Sequence, residues 1–213
     1  MMRARNVGEF LAGLEGWRFP TANVIVGDST GNIGYSTIGA LPLRSAATTD
    51  VNAAQDGSSS KYDWQAIIPQ LLVPQVMNPR QGYLLSGNHR PVGSFYPVPL
   101  GVSTGSMGDT VRSWRLRQLL ESQSSMTAQQ LLEMFRDSTN PARQAIVRIG
   151  FHLRDVLKAD LSEESLRALE HLEAWYRSGA SMCLDVPGAA LAMQINTQFR
   201  FVHTELAYQY GGG

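Results

Sequence analysis

Hydroxyl and thiol nucleophiles, metal-ligand sets and cationic grips are the residue patterns that do chemistry, and this sequence offers few of them. Ser58, Ser94 and Ser106 each follow a glycine, but a serine without a base beside it is a weak nucleophile, and they read as solvated loop serines. His89, His152, His171 and His203 include no pair at the short helical spacing that gathers imidazoles around zinc. Asp28, Ser29 and Asp50 fall in no EF-hand spacing. Cys183, the single cysteine, has no partner for a disulfide or metal and is expected to be a small buried residue. Arg112, Arg115 and Arg117 share one predicted helix, where arginines usually form a solvated face. Gly87-Asn88, at the end of a strand candidate, reads by itself as a turn. No metal or cofactor is expected.

The elements that must hold these residues change character along the chain. Asn6 can cap a helix with Glu9 at its third position, and Val7, Phe10, Leu11, Leu14 and Trp17 then share a face until Gly16 and Pro20 interrupt. Ala22 to Val26 and Asn32 to Ile38 flank the turn types Asp28-Ser29-Thr30-Gly31 and predict a hairpin. Ser45 to Lys61 is polar and aperiodic, an exposed loop. Ile67 to Val76, with Pro69 and Pro74, predicts an irregular apolar crossing rather than a central strand. Gln81 to Ser86 is a further strand candidate.

Beyond the glycine-rich stretch from Gly101 to Gly108 the pattern is helical. Thr110 to Glu121 carries Val111, Trp114, Leu116, Leu119 and Leu120 as apolar positions. Thr127 to Gln130 is a capping box opening a helix through Phe135, and Asn140-Pro141 starts another with Ile146, Ile149, Leu153, Val156 and Leu157. Ser162 can cap a helix bearing Leu166, Leu169, Leu172 and Trp175, and Pro187 can open a last one through Leu191, Ile195, Phe199, Val202 and Leu206. Strands first and helices after make the class α+β, with a strand-rich part over residues 1–100 and a helical lobe over 101–213.

Composition narrows the function. The 213 residues are 43% hydrophobic, enough for a real core. Lys plus Arg equals Asp plus Glu at 18 each, and no basic cluster stands out, so neither nucleic acid nor a membrane surface is an expected partner. No apolar run approaches the ~20 residues of a bilayer span.

Several phrases, taken together and in order, resemble a known family. They are Asp28-Ser29-Thr30-Gly31-Asn32-Ile33-Gly34-Tyr35, the run from Gly39 to Pro42 and Arg44, Tyr62-Asp63-Trp64, Asn78-Pro79, and Gly82-Tyr83-Leu84-Leu85-Ser86-Gly87-Asn88-His89-Arg90-Pro91. Over roughly residues 5 to 140 they resemble the middle of the β-subunit of the penicillin acylase family, amide hydrolases of the N-terminal nucleophile superfamily. The resemblance implies a four-layer αββα sandwich, of which this chain would supply some antiparallel strands plus a helical lobe, leaving sheet edges for other parts to pair. It also implies hydrolysis of an N-acyl amide through an acyl-enzyme on an N-terminal Ser, whose own α-amine takes the proton. This chain opens with Met1-Met2-Arg3, and none of its Gly-Ser pairs has the family's flanking sequence, so it is expected to be a segment without the nucleophile. Expected partners are the α-subunit, the remaining β-subunit segments and a small N-acyl substrate; the family's setting is periplasmic or secreted.

The resemblance assigns two catalytic candidates. Asn88 takes the place of the asparagine whose amide N–H meets the oxyanion of the tetrahedral intermediate, fixed at a strand end and pointing into a cavity that another stretch of polypeptide completes. Arg112 takes the place of an arginine that would hold the asparagine carbonyl oxygen and so orient its N–H groups. His89 stands where the family often has a second asparagine, and Pro99 falls near the place of a calcium-ligating aspartate, so no metal is expected. Trp64 matches a family tryptophan, by packing or by substrate contact; Phe95 and Tyr96 suit either core packing or an acyl pocket. The end of the last helix, Tyr208-Gln209-Tyr210-Gly211, resembles a helical insertion in the β-subunit. Two alternatives are a non-catalytic binding or scaffold protein with the acylase-like fold, and a helical interaction module whose resemblance is accidental.

Overall fold

The structure, a computed structural model, describes residues 3–48, 53–93, 95–97, 109–157, 161–195 and 197–198. It divides into two compact units, residues 1–120 and 121–213. The fold is α+β, with antiparallel strands in the N-terminal half and helices in the C-terminal half.

Helix α1, Val7–Ala12, begins where the Asn6 side chain accepts the Glu9 N–H at 2.8 Å, the predicted cap. It lies against the hairpin of β1, Ala22–Gly27, and β2, Ile33–Ile38, which pair from Ala22↔Ile38 to Gly27↔Ile33. Gly34 permits the approach, because a Cβ there would come within 2.5 Å of Val7 Cγ1. Val7 is fully buried and Leu14 is 1% exposed, each contributing about 1.5–3 kcal/mol by leaving water. Trp17, expected on the same face, is half exposed, its indole N–H donating to the Pro20 carbonyl past the helix end.

The Asp28 carboxylate organises the hairpin turn. One oxygen accepts from Thr30 N and Oγ1 and from Asn32 N, and the other accepts from Val7 N at 3.1 Å, tying the turn to the start of α1. These donors, led by the Thr30 hydroxyl, hold the carboxyl far below the usual carboxylate range. Asn78, in a left-handed conformation, returns the Ile33 hydrogen bonds and donates to Asn32 Oδ1.

Strand β3, Pro42–Arg44, pairs with β4, Trp64–Ile67, in a separate two-stranded sheet that the sequence did not foretell. Strand β5, Gln75–Met77, joins the other edge of β2, giving the order β1-β2-β5. The crossing before it is irregular as expected, with a 3-10 turn at Gln70–Leu72. Gln81–Ser86 forms no ladder among the described residues; it begins within the turn at Pro79–Gly82. Trp64 is 58% exposed and Phe95 is 88% exposed, so neither serves as core packing in this chain. Successive residues of β2 point to opposite faces: Gly34 meets α1, and Tyr35 turns to the face carrying Asn23 and Val76.

Helix α2, Val111–Glu121, ends this unit. Val111 and Trp114, expected on its packed face, are exposed, and Ser113 is the buried residue, because this helix packs through its backbone against a glycine rather than through large side chains.

The second unit is helical. Thr127 and Gln130 form the capping box of α3, Ala128–Met134. Asn140 accepts the Arg143 N–H at the start of α4, Pro141–Leu157, and Ser162 caps α5, Glu163–Arg177. Residues 187–195 are helical from Pro187 onward; Phe199, Val202, Leu206 and the segment from Tyr208 to Gly211 lie outside the described residues. The core gathers Val147, Leu172, Trp175, Ala180, Ala189 and Ala192. Trp175 donates from its indole to the Ser181 carbonyl at 2.8 Å, and a Cβ on Gly188 would strike Trp175 Cβ at 2.3 Å. Ile149, Leu153 and Val156 of α4 and Leu166 of α5 are exposed, contrary to expectation, since α4 meets this core through Val147 and Phe151 and α5 through Leu172 and Trp175. Cys183 is exposed rather than buried, beside the Ser181 hydroxyl at 3.0 Å.

Candidate functional site

The chain from Gly87 to His89 meets the start of α2, and both predicted site residues lie at that junction. Asn88 has φ 59°, a left-handed conformation that asparagine tolerates better than most residues and that clusters at functional sites. Arg112, in the first turn of α2, donates from Nη2 to Asn88 Oδ1. Engaging the carboxamide oxygen leaves the two N–H donors of the same group available to another acceptor. Among the described residues no paired strand ends at this amide. Asn88 is exposed in this chain, and its described side-chain contact is with Arg112 of α2.

What fixes the junction is a set of backbone contacts. Gly87 is buried, and a Cβ on it would meet Ser113 N at 2.8 Å and Ser113 Cα and Cβ at 3.0 Å. The Thr110 hydroxyl donates to the Gly87 carbonyl at 2.6 Å and accepts the Ser113 N–H at 3.1 Å, while Ser113 Oγ accepts the Thr110 N–H at 2.9 Å. This is a reciprocal cap built on Thr-x-x-Ser instead of Ser/Thr-x-x-Glu, and that spacing was the available sequence signal for residues the reading did not single out.

Beside the junction lies a cleft of about 260 Å³ lined by Asn23, Tyr35, Tyr83, Ser86, His89 and Arg117 among others. Tyr35 donates its hydroxyl to Asn23 Oδ1 at 2.7 Å. Asp109 takes two hydrogen bonds from Arg117, which hold its carboxyl below the usual range. Thus Arg112, though exposed, and Arg117, partly buried, each grip an oxygen acceptor. His89 Nδ1 accepts the Gly87 N–H at 3.3 Å, which leaves its proton on Nε2. Burial pushes the His89 imidazole down, against the pull of Asp109 and with the push of Arg117. Tyr96 donates its hydroxyl to the Leu72 carbonyl. Among the described residues no group of three or more His, Cys, Asp or Glu is placed to hold a metal ion. Ser58 is exposed and bonds to Asp56. Ser94, Ser106, Pro99, Asp50 and His203 lie outside the described residues. So does Ser103, whose setting in Gly101-Val102-Ser103-Thr104-Gly105 has the spacing of a serine-hydrolase elbow.

Comparison with known proteins gives the family. The family model described as penicillin amidase matches residues 1–207. Penicillin G acylase of Escherichia coli is 30% identical over 119 residues, which are 56% of this chain and 14% of that protein. An acyl-homoserine lactone acylase, QuiP of Pseudomonas syringae pv. tomato, is 30% identical over 122 residues, 57% of this chain and 14% of that protein. Among solved structures, a thermostable penicillin G acylase from Alcaligenes faecalis superposes with a TM-score of 0.60 at 26% identity, covering 81% of this chain and 30% of that one. The chain therefore spans 14% of the length of these two relatives, and a resemblance by accident is excluded by the family match. It belongs to the penicillin amidase family.

Proposed function

We propose that this chain supplies the oxyanion-stabilising segment of an enzyme that hydrolyses an N-acyl amide through an acyl-enzyme, the attacking hydroxyl coming from an N-terminal Ser outside these residues. Asn88 is the oxyanion donor and Arg112 its positioning partner. The α-subunit and the remaining β-subunit segments are the partners that complete the site, and a small N-acyl compound is the substrate. One observation carries the reading: Arg112 holds Asn88 Oδ1, so the amide is aimed with its donors free for charge that develops only in the transition state. The short share of the relatives' length that this chain spans supports the role of one segment within a larger site. Relatives named for penicillins and for acyl-homoserine lactones support the amide class without choosing the acyl group.

The test is turnover of chromogenic N-acyl anilides by this chain produced in a reading frame that supplies the α-subunit and the remaining β-subunit segments. Asn88→Ala should lower kcat about 10²–10³-fold. Asn88→Gly, which relieves the left-handed backbone while also lacking the amide, should fall equally. Unchanged turnover in both removes Asn88 from the mechanism.

A further inference from the structure

Among the described residues the peptide that carries Asn88 has no strand ladder behind it, yet its neighbour Gly87 is buried against Ser113. A buried carbonyl needs a donor, and the Thr110 hydroxyl is that donor, at 2.6 Å. The same oxygen accepts the Ser113 N–H at 3.1 Å, which starts the helix bearing Arg112. We propose that Thr110 is a positioning residue for Asn88: one hydroxyl clamps the Gly87–Asn88 peptide onto the first turn of α2, so that Arg112 and the Asn88 amide are held in register by a single atom. The meaning of this clamp for catalysis rests on the reading of Asn88 as the oxyanion donor; the clamp itself is open to test without any catalysis.

An ordinary helix cap requires only an acceptor, and aspartate serves as well as threonine there. The clamp requires an acceptor and a donor at once, which only a hydroxyl provides at that position. The two roles therefore separate by substitution. Thr110→Ser keeps both, Thr110→Asp keeps the cap and loses the donor to Gly87, and Thr110→Val loses both.

The full chain, isotopically labelled, is read by NMR relaxation at the Asn88 backbone amide and by its side-chain N–H₂ signals, identified by their loss in Asn88→Ala. In the parent and in Thr110→Ser the Asn88 order parameter should sit near the rigid value of about 0.85; in Thr110→Asp it should fall toward 0.6 or below, with the α2 amides unchanged and the side-chain signals moved toward those of an asparagine not held by an arginine. Asn88 order unchanged in Thr110→Asp with α2 intact overturns the proposal. If α2 frays in that variant, the serine and valine variants decide: serine must restore the parent values, and a serine variant as loose as valine overturns the proposal. The two readings fail separately. Unchanged turnover on removing the Asn88 amide refutes the oxyanion role whatever Thr110 does, and an ordered Asn88 in Thr110→Asp refutes the clamp whatever the turnover.

Discussion

Replacing Gly87 by alanine should pry the Asn88 loop from α2. A Cβ at that position would stand 2.8 Å from Ser113 N and 3.0 Å from Ser113 Cα, whereas relaxed contacts between carbon atoms begin at about 3.5 Å. The gap must open by roughly 0.5 Å or more, and the obstacle is the backbone of a helix's first turn, which cannot rotate aside as a side chain does. Overpacking of this kind costs about 1–3 kcal/mol, and straining the Thr110–Gly87 hydrogen bond adds about 0.5–1.5 kcal/mol, together about 1.5–4.5 kcal/mol. The assay is urea unfolding followed residue by residue through amide NMR, which reads the midpoints of units 1–120 and 121–213 independently. The first midpoint should drop with its slope unchanged, and the second should stay where it is. A first-unit stability within about 0.5 kcal/mol of the parent, the range of ordinary surface changes, would refute the idea that backbone contact at Gly87 holds this junction.

Other consequences are as concrete. Arg112→Lys keeps the charge but not the planar fork, so in the assembled enzyme kcat should fall by up to about 10²-fold with KM little changed; an equal rise in KM would show that Arg112 binds substrate instead. The Asp28 carboxyl has a depressed folded pKa, so the stability it contributes is present above the unfolded value of about 3.9 and is lost as pH falls through the folded one. Asp28→Asn should be less stable at neutral pH and should flatten the urea midpoint between pH 4 and about 2; parallel curves for parent and variant would contradict this. His89 is also depressed, by partial burial first, so the stability it contributes is present above its unfolded pKa of about 6.5 and is lost on acidification below it. An NMR titration should place its midpoint under that value, and His89→Gln should remove slope from the stability profile just below it. Trp175→Ala should cost the second unit about 3–5 kcal/mol while leaving the amide spectrum of residues 3–48 unchanged, as seen in a two-dimensional NMR map.

Local chemistry settled much of this protein before any coordinates. Asn6, Thr127, Asn140 and Ser162 each close a hydrogen bond within three residues, so the helix starts were readable from residue types alone, as was the hairpin around Asp28. The ordered phrases from Asp28 through Gly82 to Pro91 carried the family. Only tertiary structure decided which apolar residues are covered: Trp64, Trp114, Ile149 and Leu153 have the types and spacing of core residues and stand exposed, because burial depends on what packs opposite, and periodicity does not encode that. The same holds at the site. A glycine at 87 and a serine at 113 are unremarkable letters until the chain folds a helix start onto a loop 23 residues before it. Contact at that separation follows from packing, which no short-range pattern records.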